Sequence, residues 1–306
     1  MANNHEFGFT FCSVLRRDKL YVAGVAVELE DQDVHHAILF ESQDEGWDRW
    51  SFEHRLAGIT SYDSRGVAKL MTVGIDGFVE TADFDGADEE RVGEHEPDGG
   101  PNLLRPLRCV RIVGSHVYVA GAQRQVFRRH LDSSDWQRVD QGVYIPRSSL
   151  EVGSLHDIDG ASEAWLVAVG LSGEIWLCVD QVWSQLDSPT NIRLEAVRHL
   201  GGTRFITGGA QGTLILGDAG ALNVVEQELT TETFSSIERA FDTLFLCTDQ
   251  GNLFRLDNDV LTAVDCGLPP SSGGGFLSYG DGVLLFTTDF HVMVFDGNTW
   301  SERDPV

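Results

Sequence analysis

Leu194-Glu195-Ala196-Val197-Arg198-His199-Leu200-Gly201-Gly202-Thr203-Arg204-Phe205-Ile206-Thr207-Gly208-Gly209-Ala210-Gln211-Gly212-Thr213-Leu214-Ile215-Leu216 holds three short apolar runs separated by glycine turns. Residues 194–200 read as one strand, Gly201-Gly202 as a turn and residues 205–208 as a second strand. Gln211-Gly212 turns into a third strand over 213–216, and Asn223-Val224-Val225-Glu226-Gln227 closes the unit. β-Branched and aromatic residues bounded by Gly, Asp and Asn are strand-and-turn chemistry. The second strand is apolar throughout, as a strand covered on both faces must be.

That second strand recurs six more times. The copies are Leu20-Tyr21-Val22-Ala23-Gly24, Leu70-Met71-Thr72-Val73-Gly74, Val117-Tyr118-Val119-Ala120-Gly121, Trp165-Leu166-Val167-Ala168-Val169-Gly170, Leu244-Phe245-Leu246-Cys247-Thr248 and Val283-Leu284-Leu285-Phe286-Thr287. Starts lie 50, 47, 48, 40, 39 and 39 residues apart, a period that marks a radial array of four-stranded units. The reading is an all-β chain, a seven-bladed β-propeller of four-stranded antiparallel blades forming a single domain over 1–306, with blades near 6–55, 56–97, 103–143, 149–190, 192–230, 232–268 and 274–306. Fourth strands such as Val182-Trp183-Ser184-Gln185-Leu186 and Thr299-Trp300-Ser301-Glu302-Arg303 are more polar, which blunts an exposed edge. No long helix is supported, and the best helical candidate, 231–241, falls where the sixth blade needs its inner strand. Ring closure is expected by packing of the seventh blade on the first; the alternative lends residues 6–14 to the last blade.

Composition bounds function. The start Met1-Ala2-Asn3-Asn4-His5-Glu6 does not read as a signal peptide, and no run approaches a membrane span. Five scattered cysteines suit buried reduced thiols and a cytoplasmic location. The net charge of −26 argues against a nucleic-acid surface, which needs clustered Lys and Arg. It is also uneven: positions 28–98 hold twenty acidic and five basic residues. Such a surface is either a solubilising shell or a docking face for a basic protein. The docking candidates are Glu28, Glu30, Asp31, Asp33, Asp44, Glu45, Asp48, Asp83, Asp85, Asp88, Glu89 and Glu90.

A second candidate site is the axis, where inner strands converge. Aligning the repeats places Ser13, Thr60, Arg111, His156, Arg198, Glu238 and Ser278 at equivalent positions, with Arg239 replacing Glu238 after a one-residue shift. Guanidiniums around one channel could grip a phosphate or carboxylate; equally, they could pair with Glu and fill it. His156-Asp157-Ile158-Asp159-Gly160 offers hard-cation ligands but reads first as turn chemistry, and His35-His36 reads as part of an acidic loop. No zinc-type spacing, Gly-x-Ser-x-Gly or phosphate-binding glycine loop is present, so the sequence supplies no catalytic residue, cofactor or metal ligand.

Through units such as Lys19-Leu20-Tyr21-Val22-Ala23-Gly24 and Gly173-Glu174-Ile175-Trp176, the chain resembles the bacterial seven-bladed propellers with WD40-, YVTN- or BNR-like repeats. Trp-Asp occurs once, at Trp47-Asp48, and the sialidase-type Asp box is only echoed at 42–47 and 297–300. The resemblance implies an interaction platform, and some stand-alone members are immunity proteins that block a toxin. The function expected is therefore a non-catalytic protein-binding propeller, in its most concrete version an immunity protein neutralising a toxin through an acidic face. The alternatives are an enzyme or lectin holding a small anionic or sugar ligand in the axial channel, and a scaffold subunit of a larger complex.

Overall fold

The structure is a computed structural model that describes residues 6–43, 46–98, 100–104, 106–218, 220–269 and 272–305. Among the described residues, twenty-eight strands form seven four-stranded antiparallel sheets, each built from four consecutive strands. Blade one is Phe7–Arg16, Lys19–Ala26, Ala37–Gln43 and Gly46–Phe52; blade two is Leu56–Ser64, Val67–Gly74, Phe78–Asp83 and Gly86–Arg91. The inner strands of blades three to seven are Leu107–Val113, Leu155–Ser162, Leu194–Gly201, Phe234–Ala240 and Phe276–Gly280. The 231–241 stretch is thus the inner strand that the repeat demanded. Among the described residues the only α-helices are the five-residue Val27–Asp31 and Gly100–Leu104.

The apolar second strands explain themselves in the packing. Seven core clusters lie one in each seam between neighbouring blades. Between blades four and five, for example, Val167, Val169 and Ile175 meet Leu194, Val197, Phe205 and Ile215, all essentially inaccessible. Each such large side chain contributes about 1.5–3 kcal/mol on leaving water. The ring closes in the same way: Phe7, Phe9, Val22 and Phe40 pack on Val283, Leu285 and Val292. Phe9 N donates to Asp289 O at 2.8 Å and Val14 N to Ser278 Oγ at 3.0 Å across that seam. No strand is exchanged between the ends among the described residues.

The glycine that ends the repeat motif has a steric cause. A Cβ on Gly170 would lie 1.9 Å from Ser154 O, and one on Gly209 would lie 2.1 Å from Arg193 O. Those same carbonyls accept hydrogen bonds from Leu171 N (3.0 Å) and Ala210 N (2.9 Å). Second strand and inner strand therefore approach more closely there than any side chain permits.

Candidate functional site

At the axis the inner-strand side chains pair with one another. In blade four the pairing register sets Asp159 opposite Val167, the place that Arg111 (opposite Tyr118), Arg198 (opposite Ile206) and Glu238 (opposite Phe245) hold in their blades. His156 is not the equivalent residue: it is the bulge residue between Leu155 and Asp157, the place that Glu195 holds in blade five. The turn expected at Asp159-Gly160 is also corrected, because both residues lie within the inner strand Leu155–Ser162. Their carboxylates bind tertiary partners: Asp157 Oδ2 accepts from Val197 N at 2.9 Å and Asp159 Oδ2 from His199 N at 2.8 Å. Two acidic side chains thus pin blade five's inner strand to blade four's.

These carboxylates also neutralise the arginines. Arg111 Nη2 lies 3.2 Å from Asp157 Oδ1, and Arg198 Nη2 donates to Glu238 Oε2 at 2.6 Å. Arg198 Nε donates to Ile237 O at 2.9 Å, and its Nη1 lies 3.6 Å from Asp159 Oδ2. Burial disfavours the charge of Arg111, but Asp157, Asp159 and Glu238 outweigh it and raise its pKa above the ordinary value. Burial dominates at Glu238, whose carboxyl is raised despite Arg198 and Arg111. His156 Nδ1 lies 2.8 Å from Glu195 Oε2. Glu195 is lowered because His156 and Arg193 together outweigh its burial. Arg239 stands apart, half-exposed, with Asp242 3.8 Å away. A cavity of about 250 Å³ remains on the axis, lined by residues that include Arg108, Arg111, His156, Asp157 and Glu195.

The acidic candidates do not form one surface. In a four-stranded meander, the hairpins after strands one and three lie at one end of the blade. The loop after strand two and the connector to the next blade lie at the other. Glu28, Glu30, Asp31 and Asp33 occupy the helix and turn after blade one's second strand, on the connector face. Glu30 there pairs with Arg55. His36, in the same loop, is buried and accepts from Ala26 N through Nε2 at 2.7 Å, with Nδ1 2.7 Å from Val34 O. It locks the loop shut.

Asp83 and Asp85 sit on the opposite, hairpin face; Asp83 meets Lys69 Nζ at 3.3 Å and is lowered chiefly by accepting from Asp85 N. Asp48, Asp88 and Glu89 lie exposed on the outer strands of blades one and two. Glu90 is largely buried, paired with Arg129 Nε at 2.9 Å, and raised by that burial. Asp44 and Glu45 lie outside the described residues.

Sequence reasoning missed a groove of about 800 Å³ between blades one and two. Asp48, Trp50 and Phe52 line it from the edge strand of blade one, and Ala68, Ala82 and Ala87 from blade two. The seam beneath has the smallest core of the seven, with Tyr21, Ala23, Leu39, Ile59 and Leu70 as its buried members. The available signal was one alanine on each of blade two's last three strands, Ala68, Ala82 and Ala87, the last two paired across its outer edge.

No protein-family model matches the chain. A curated relative, "Immune protein Tsi7" of Pseudomonas aeruginosa, is 27% identical over 296 residues, covering 94% of each chain. Among solved structures, the WD40 β-propeller domain of Doa1 superposes with a TM-score of 0.70 at 11% identity, over 99% of this chain and 95% of that one. YCF48 from Cyanidioschyzon merolae gives 0.66 at 12% identity, over 95% and 96%. The two structures share the propeller fold.

Proposed function

We propose that this chain is a non-catalytic immunity protein that binds and neutralises a cognate bacterial toxin. The observation that carries the reading is the similarity to the protein named "Immune protein Tsi7", which covers 94% of each chain. Charge and axial geometry support it. Twenty acidic residues between positions 28 and 98 give blades one and two a field suited to a basic partner, which would speed encounter and weaken it in salt. Arg111 and Arg198 already pair with Asp157, Asp159 and Glu238, which neutralises much of the positive charge the channel could offer an anion. Neutralisation on this reading is steric occlusion by a preformed face, in the cytoplasm, with no chemistry contributed by the propeller.

The test is growth rescue. The cognate toxin, taken as the protein that co-purifies with this chain from lysate of its own organism, is expressed with and without it, and the purified pair is weighed in solution. Restored growth together with a stoichiometric complex is the expected result. Equal killing in both strains, with no complex, would overturn the proposal.

A further inference from the structure

The groove between blades one and two combines features that the fold itself does not need. Its blade-one wall carries Leu39, Glu41, Asp48, Trp50 and Phe52, alternate residues that a strand presents on one face. The opposite face of the same edge strand is already used: Trp47 packs in the seam with blade seven, and Arg49 stands over the Phe7 ring at 5.7 Å. Ala68, Ala82 and Ala87 on blade two are too short to reach across, so the outer half of the seam stays open. Trp50 is 43% exposed and Val67 42%, while Phe84, at the tip of the hairpin that rims the groove, is 98% exposed. An aromatic held in water at a groove's edge is a cost to the free protein that an interface recovers.

The charges in the groove are one-sided. Glu41, Asp48, Glu80 and Asp83 line it against a single lysine, Lys19, which is already paired with Glu41. Asp83 takes Lys69. Glu80 has no ion pair among the described residues; its burial, and then the neighbouring Glu89, raise its carboxyl against the pull of His54. A cation brought to Glu80 would meet an acid now held in an unfavourable setting, beside apolar walls that strengthen the attraction.

Resting on the proposed function, we infer that this groove is the seat of a basic segment of the partner protein, one that sets Arg or Lys beside a large apolar side chain. The apolar side chain enters between Trp50 and Phe84 and covers the alanine wall. The cation meets Glu80 and Asp48. The groove opens toward the hairpin face, so the connector-face acids Glu28, Asp31 and Asp33 steer approach without touching this segment.

The test uses fluorescein-labelled seven-residue peptides on the intact chain: alternating Arg and Leu, alternating Arg and Gly, and alternating Glu and Leu. The Arg-Leu peptide should bind saturably, the Arg-Gly peptide about tenfold more weakly, and the Glu-Leu peptide not at all. Phe84→Ala, at a fully exposed position that cannot unfold the protein, and Ala82→Trp, which fills the groove, should each weaken Arg-Leu binding about tenfold. Asp31→Ala should leave it unchanged. No saturable Arg-Leu binding, equal binding of Arg-Gly, or affinities within about twofold of the parent for both groove variants would overturn the inference. Growth rescue separates the two levels. If Phe84→Ala and Ala82→Trp neutralise the toxin as well as the parent does, the groove is refuted and the immunity reading stands. If the parent itself fails to rescue, the immunity reading falls, and peptide binding still decides the groove.

Discussion

Replacing Arg198 by Met tests whether the axial charges are structural. Arg198 is 8% exposed, donates to Glu238 and Ile237 O, and lies within ion-pair range of Asp159. Methionine keeps much of the volume but strands the buried Glu238 carboxylate with the Arg239 amide, 2.9 Å from its Oε1, as its remaining close donor. Breaking a buried pair from one side costs about 3–5 kcal/mol, because the partner's desolvation is no longer offset. The loss should depend on pH. Glu238 is already raised in the folded protein, and removing Arg198 raises it further. A carboxyl raised on folding contributes stability at low pH that is lost as pH rises through its folded pKa. The deficit of the variant should therefore be largest at pH 8 and shrink toward pH 5, by up to about 1.4 kcal/mol per pH unit. Urea unfolding at both pH values measures it, and Arg198→Met with Glu238→Gln should recover part of the loss at pH 8. A loss below about 1 kcal/mol at pH 8, or one independent of pH, would refute the reasoning.

Two further outcomes follow from the packing. Gly170→Ala should destabilise by about 3 kcal/mol, since its Cβ would fall 1.9 Å from the Ser154 carbonyl, and a thermal melt within a degree or two of the parent's would contradict that origin for the motif's glycine. All five cysteines are free and buried, with burial pushing Cys178 up to about 11 and Cys247 up to about 12. A thiol reagent at pH 8 should therefore count five thiols in denaturant and none in the native protein; rapid native reaction would show the blades open.

The fold was legible because the residues that repeat are the ones that pack. Second strands such as Val117–Gly121 are wholly buried, so their apolar runs survive in all seven blades. The axial residues were less legible for a physical reason. Inner strands carry bulges, among them those between Leu155 and Asp157 and between Leu194 and Ala196, and each bulge shifts the side chains that follow it. His156, itself a bulge residue, stands three positions before Asp159 and was aligned in its place. Asp159-Gly160 read as a turn because its chemistry is locally that of a turn: Asp159 Oδ1 does accept from Gly160 N at 2.9 Å, but its other oxygen reaches His199 on the next blade. The acidic segment was visible as composition, whereas its division between two faces depends on strand ends. Glu90 looked like its neighbours in sequence, and only the ion pair with Arg129 separates it from the exposed Asp88 and Glu89.

The proposal that this chain docks a basic toxin through blades one and two is tested most directly by association kinetics with that toxin. Asp85, Asp88 and Glu89 are exposed, and reversing all three to Lys leaves the Glu90–Arg129 pair and the core untouched. The account predicts association about tenfold slower at low salt, a gap that closes as salt rises, and a dissociation rate that changes far less. An association rate within about twofold of the parent's at low salt would contradict electrostatic docking on these blades.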